Sequence, residues 1–147
     1  MLPNVIMPGA PKSGTTSFAY YINHSPEVYF KLGREIKYFY YDYKYKKGLE
    51  WYQNFFKEAV NKKIIFAPGL VYLYSEKALK RIKKDLNDLK FIIFLRNPVD
   101  RAYSQYNYCR KFGTEILSFE NAIKLEDLRT KIPFRFFKNN YAYFSRG

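Results

Sequence analysis

The sequence is poor in the residues that cross-link a small protein or supply ready acid–base chemistry. In 147 residues it holds one cysteine, Cys109, and one histidine, His24. A lone cysteine excludes an internal disulfide. Long apolar runs are missing too, since none approaches the ~20 residues of a membrane span. Met1 leads within a few residues into the apolar run Val5-Ile6-Met7, which leaves no room for a signal peptide. These absences predict a cytoplasmic chain with no integral membrane segment. No internal repeat, low-complexity segment or domain boundary stands out. What is abundant is apolar and aromatic: 48% of residues are hydrophobic and 21% aromatic, with 16 Tyr and 14 Phe. That composition excludes a disordered tail, and the length suffices for one α/β domain with a genuine core.

Acidic residues are scarce, 13 against 26 Lys and Arg, for a net charge of +13. Such a surplus suits a multiply charged anionic ligand through long-range attraction. Much of it is also ordinary surface. In Glu76–Leu86 the residues Leu79, Ile82 and Leu86 make one apolar stripe, and Lys77, Lys80, Arg81, Lys83 and Lys84 fall on the wet side. No nucleic-acid motif accompanies the charge, and no nucleic-acid partner is expected.

The pattern predicts strands at Asn4–Met7, Glu27–Lys31, Lys63–Phe66 and a buried one at Phe91–Leu95. Helices are predicted at Thr15–Asn23, Gly48–Ala59, Glu76–Leu86, Pro98–Lys111 and Ser118–Leu128, with Glu35–Tyr45 extended or irregular. Strands separated by helices, with apolar runs that do not alternate, imply a parallel sheet covered on both faces.

The segment most telling for function is Pro11-Lys12-Ser13-Gly14-Thr15-Thr16, directly after the first strand. Gly9 and Gly14 let the backbone turn sharply and approach an anion, and the first amides of the following helix point at it. Thr15, Thr16 and Ser17 add hydroxyls, and Lys12 adds a charge. The nucleotide triphosphatase loop places its lysine directly after the second glycine; here Thr15 stands there. The acid that ends a later strand in those proteins and helps hold magnesium is replaced by Arg96, after Phe91–Leu95. A cationic strand end repels a metal ion and attracts a second phosphate. Asn97 suits a helix N-cap and Pro98 the first helical position. Ser104, in the second turn, leans back toward the helix mouth.

Those two motifs together resemble the sulfotransferases that use 3′-phosphoadenosine 5′-phosphosulfate. The nearest likeness is to the branch with the heparan sulfate and bacterial carbohydrate sulfotransferases. The resemblance implies a three-layer P-loop NTPase-like α/β fold with a central parallel sheet. It further implies that Lys12, Ser13, Gly14, Thr15, Thr16 and Ser17 hold the 5′-phosphosulfate, and that Arg96 and Ser104 hold the 3′-phosphate. No metal is implied. The acceptor would be a hydroxyl or amine, more often on a glycan. Lys12 would stabilise the leaving phosphate. Arg34-Glu35-Ile36-Lys37-Tyr38-Phe39 resembles the family segment with a glutamate base before two aromatics, so Glu35 would take the acceptor's proton, while Lys37 would orient Glu35 or bind the acceptor.

Asn140–Gly147 resembles the start of the family's next element, so residues 1–147 are expected to form the N-terminal portion of a C-terminally incomplete domain. Two further readings follow: an inactive binding module, or half of a split enzyme completed by another chain. A nucleotide kinase-like phosphotransferase is the enzymatic rival. Ala67-Pro68-Gly69-Leu70 departs from the charged pair that heparan-type enzymes often carry before the tyrosine matching Tyr72. His24 reads as part of a helix-ending turn, Cys109 as a packed helix residue, and Trp51 as core or rim.

Overall fold

The computed structural model describes residues 1–30, 33 and 35–131. The segment Asn140–Gly147, likened above to a further family element, lies outside the described residues, as do Lys31 and Arg34. The chain forms two compact units, Met1–Leu95 and Arg96 onward.

The first unit is built on a parallel four-stranded sheet of β1 (Val5–Met7), β2 (Val28–Tyr29), β3 (Ile64–Pro68) and β4 (Lys90–Phe91), in the order β2-β3-β1-β4. Strand alternation divides the sheet's side chains between two clusters. Ile6, Ile65 and Ala67 face one side and pack with Tyr38, Phe39, Tyr52, Tyr72, Ala78 and Ile82. Val5, Met7 and Phe66 face the other and pack with Ala19 and Phe30, together with Phe18 and Ile22 of α1 (Thr15–Ile22). The sheet is thus the middle layer of three. Asn4 ties the edge of β1 to β3, since its Oδ1 accepts from Ile65 N and its Nδ2 donates to Lys63 O, both at 2.8 Å.

The first cluster is unusually aromatic. Tyr38 stacks on Tyr52 with ring centroids 4.5 Å apart and an interplanar angle of 11°. Phe39 meets Tyr52 and Tyr72 edge-on at 5.2 and 5.9 Å. Burial raises the hydroxyl pKa of Tyr52 and of Tyr72, and the Glu35 carboxylate adds to the rise at Tyr72.

Some expected elements differ from those observed. Within Glu35–Tyr45 the chain makes a short helix, α2 (Asp42–Tyr45), and Gly48–Ala59 resolves into α3 (Gly48–Gln53) followed by a 3-10 turn at Asn54–Phe56. The strand at 91–95 is not buried throughout. Ladder bonds run past β4, with Ile92 N donating to Ile6 O and Phe94 N to Gly9 O, both at 3.0 Å. Because β4 lies at the sheet edge among the described residues, only Ile92 and Phe94 are packed, whereas Phe91, Ile93 and Leu95 are exposed. α4 (Glu76–Asp85) is capped by Ser75 Oγ and buries Ala78 and Ile82, with Leu86 buried just after it, whereas Leu79 of the expected stripe is exposed.

The second unit contains α5 (Pro98–Lys111), α6 (Phe119–Lys124) and α7 (Glu126–Lys131); the helix expected over 118–128 breaks at Leu125. Ala102, Cys109 and Ala122 form its small core. Glu115 organises the link between α5 and α6. Its Oε1 accepts from Ile116 N and Leu117 N at 3.0 Å, and its carboxylate pairs with Arg129. Burial opposes the Glu115 charge, but Arg129 and the two amides outweigh it and lower the pKa. Among the described residues no helix is long and apolar enough to cross a membrane.

Because Phe39 is fully buried within the aromatic cluster, Phe39→Ala should cost about 3–5 kcal/mol. Urea titration followed by far-ultraviolet dichroism reads this directly, and a loss under about 1 kcal/mol would mean the cluster is not the core.

Candidate active site

After β1 the chain runs through Pro8–Gly14 into α1, and its backbone is stitched on both sides. Gly69 N donates to Met7 O at 3.0 Å and Leu73 N to Pro8 O at 3.1 Å, while Ala10 N donates to Phe94 O at 2.9 Å. Gly9 adopts φ 155°, and a Cβ there would lie 3.1 Å from Leu73 Cβ and 3.3 Å from Leu70 O, so only glycine fits without displacing the neighbouring turn. Lys12 and Gly14 both take left-handed φ values, 66° and 88°.

α1 starts differently from the other long helices. Asn97 Oδ1 caps α5 by accepting from Val99 N at 3.0 Å and Asp100 N at 3.4 Å, and Ser75 caps α4. α1 starts on Gly14, with no side-chain cap and no acid in its first turn. Its first amides are therefore left to an external acceptor. Beside them Ser13 Oγ is buried with no hydrogen-bond partner among the described residues. A buried hydroxyl without a partner is costly. An uncapped helix start, an orphan hydroxyl and an in-loop lysine are the features an anion would complete. Thr15 is buried, and Thr16 and Ser17 are exposed on the first turn.

A carboxylate stands at the adjoining turn. Glu35 Oε1 accepts from Leu70 N at 2.5 Å, and Glu35 Oε2 lies 3.3 Å from Lys37 Nζ. The two side chains come together as the alternation of an extended segment anticipates, although Lys37 itself has φ 53°. The Leu70 amide is presented by a tight turn in which Tyr72 N donates to Gly69 O at 2.7 Å. A Cβ at Gly69 would meet the Tyr72 ring at 2.0 Å. Sequence reasoning missed this amide, because a backbone donor leaves no residue-type signature; the glycine ahead of a packed tyrosine was the available sign.

The segment carrying Glu35 and Lys37 is braced by α2. Asp42 Oδ1 accepts from Arg81 Nη2 at 2.5 Å and from Lys77 Nζ at 3.0 Å, and Arg81 Nη1 reaches Phe39 O at 3.1 Å. The Arg81 hydrogen bond, then that from Lys77, holds the Asp42 pKa below its ordinary value.

In the second unit Arg96 directly precedes the Asn97 cap, and Ser104 is half-buried in the second turn of α5. Asn97 already occupies two of the amides at that helix start, so an anion there would depend on side chains. Neither His24 nor Cys109 belongs to these groups. His24 Nδ1 contacts Tyr20 O at 2.8 Å in the turn after α1, and Cys109 is buried in α5. Trp51 is half-buried at the margin of the aromatic cluster.

This strand–loop–helix, with a braced carboxylate beside it, is an arrangement that could accept an anion next to a proton acceptor. Residues 2–143 match the sulfotransferase domain, and the chain belongs to that family. It is 36% identical over 110 residues to the membrane-associated sulfotransferase kil1 of Dictyostelium discoideum, covering 73% of this chain and 23% of that protein. It is 33% identical over 105 residues to mouse heparan sulfate glucosamine 3-O-sulfotransferase 5, covering 71% of this chain and 30% of that protein. The chain therefore spans about a quarter to a third of these curated relatives. A sulfotransferase crystal structure from Alicyclobacillus acidocaldarius superposes with a TM-score of 0.84 at 25% identity, over 98% of this chain and 63% of that one. The α/β fold with its parallel sheet is that of the sulfotransferases.

The Asp42 brace has a signed pH dependence. Its folded pKa lies below the unfolded value of about 3.9, so its stabilisation is complete above that value and is lost as pH falls through the folded one. Wild type should melt above Asp42→Asn at pH 7, with the gap closing below about pH 4. Melting curves across the acid range check this, and a gap undiminished at the acid end would exclude the Arg81–Asp42 pair as its source.

Proposed function

We propose that this chain carries the donor loop and the base of a sulfotransferase acting on a hydroxyl or amine, most simply of a carbohydrate, with 3′-phosphoadenosine 5′-phosphosulfate as donor. The observation that carries the reading is the bare start of α1 at Gly14 beside the unpartnered Ser13 Oγ. The heparan sulfate enzymes among the relatives support a glycan acceptor.

In this reading the amides and hydroxyls of Ser13, Gly14, Thr15, Thr16 and Ser17 bind the 5′-phosphosulfate. The Arg96 guanidinium forks onto the 3′-phosphate with the Ser104 hydroxyl, and side chains do this work because Asn97 has taken the helix amides. When bound, the donor supplies the sulfuryl group: its bridging S–O bond breaks, with the electron pair leaving on the phosphate oxygen, as the acceptor atom bonds to sulfur. Glu35 takes the acceptor's proton at its carboxylate, oriented by Leu70 N–H on one oxygen and Lys37 on the other. Lys12 and the loop amides stabilise charge on the leaving oxygen. No metal enters this proposal.

The decisive experiment measures transfer of labelled sulfate from the donor to a panel of glycans, alongside calorimetric binding of adenosine 3′,5′-bisphosphate and of ATP with and without Mg²⁺. Glu35→Ala and Lys12→Ala should each lower turnover by about 10²-fold or more. Arg96→Ala should weaken bisphosphate binding by about tenfold or more. Full turnover in Glu35→Ala would remove it as the base, and a metal-dependent preference for ATP would make the chain a phosphotransferase instead.

A further inference from the structure

Lys44 has no place in the phosphate loop or in the proposed proton transfer, yet it is not an ordinary surface lysine. It lies half-buried on α2, and its ammonium donates to the carbonyl of Ile36 at 2.7 Å. The rings of Tyr41 and Tyr43 lie 5.3 and 5.8 Å from it. Burial lowers its pKa, Lys37 lowers it further, and the Glu35 carboxylate opposes both. The Lys44 charge is therefore held against its own desolvation cost and within reach of the Glu35–Lys37 pair.

Ile36 is the residue between those two, and its carbonyl belongs to the peptide that leads into Lys37. Lys37 occupies the left-handed region at φ 53°, which costs a non-glycine residue on the order of 1 kcal/mol. Rotation of that peptide would relieve the strain and swing the Lys37 side chain away from Glu35. A charged donor fixed on the carbonyl opposes this rotation. α2 is itself fixed, because Asp42 is tied to Arg81 and Lys77 of α4.

We propose that Lys44 is a positioning residue for the Glu35–Lys37 pair: by holding the Ile36 carbonyl it keeps the peptide before Lys37 in the orientation that sets the Lys37 ammonium against Glu35. This rests on the reading of Glu35 as the base, but its geometric content can be tested without any turnover. The Leu70 amide donates to Glu35, and the Tyr41 amide donates to Lys37 O at 3.3 Å, so exchange of these two amides reports on the segment from both sides.

The test uses the whole chain with Lys44→Met, which keeps the length of the side chain and removes the donor, and Lys44→Arg, which restores charge and donor. Hydrogen exchange followed by nuclear magnetic resonance should show Leu70 and Tyr41 exchanging about tenfold faster in Lys44→Met, and near the wild-type rate in Lys44→Arg. The sheet amides of Phe66 and Ile92 should keep their protection. In parallel, kcat for sulfate transfer should fall about tenfold in Lys44→Met with bisphosphate affinity unchanged. Unchanged exchange at Leu70 and Tyr41 would overturn the inference, and so would a loss of protection spread equally over the sheet. If those amides respond as expected but wild type transfers no sulfate, Lys44 keeps its role in fixing the segment, and it is the sulfotransfer reading that falls.

Discussion

The arrangement of the site depends on one backbone turn, residues 68–73. Gly69 bonds the end of β1, Leu73 bonds Pro8 at the start of the loop, and Leu70 bonds Glu35. Three main-chain donors within five residues thus set the separation between the Gly9–Gly14 loop and the Glu35 carboxylate. Glycine is required twice, at Gly69 so that the Tyr72 ring can lie against the backbone and at Gly9 so that the loop can lie against the turn. Because the bonds are main-chain, the lack of a charged pair in Ala67–Leu70 leaves the placement of Glu35 intact. What the departure removes is a pair of side-chain charges.

The two candidate anion sites use different means. At α1 the protein leaves helix amides bare and provides glycines and hydroxyls, which suits a group that must change charge distribution during a reaction, since fixed dipoles need no reorganisation. At α5 the amides are consumed by Asn97, which stabilises the helix in its own right. In the proposed reading recognition there would fall to a guanidinium fork, a device better matched to holding a phosphate that does not react.

Much of the fold was legible because short apolar runs, glycines and capping residues act locally. Val5–Met7, the break at Gly14, the span of α4 and the Asn97-Pro98 start of α5 all formed where the residues said they would. The exposed half of the strand near residues 91–95 was not legible, because an apolar run does not reveal whether its strand is central or at an edge. α2 was hidden for a related reason. Four residues carry too little periodicity, and the helix is held by Asp42 reaching a helix some forty positions away. Within the candidate site, the family resemblance put Glu35 and Lys37 side by side, whereas the Leu70 amide and the Lys44 contact arise only from tertiary placement.

The glycine start of α1 has a thermodynamic corollary. A helix end with no side-chain cap and a buried hydroxyl with no partner among the described residues leave the chain short of interactions that the starts of α4 and α5 possess. An anion that supplies them binds the folded chain and not the unfolded one, so occupancy and folding are linked by mass action. The stabilisation grows with the logarithm of ligand concentration, about 2.7 kcal/mol at a hundred times the dissociation constant. Forms of this domain with and without such an anion should accordingly differ in durability, with the Gly9–Gly14 loop as the place where that difference originates.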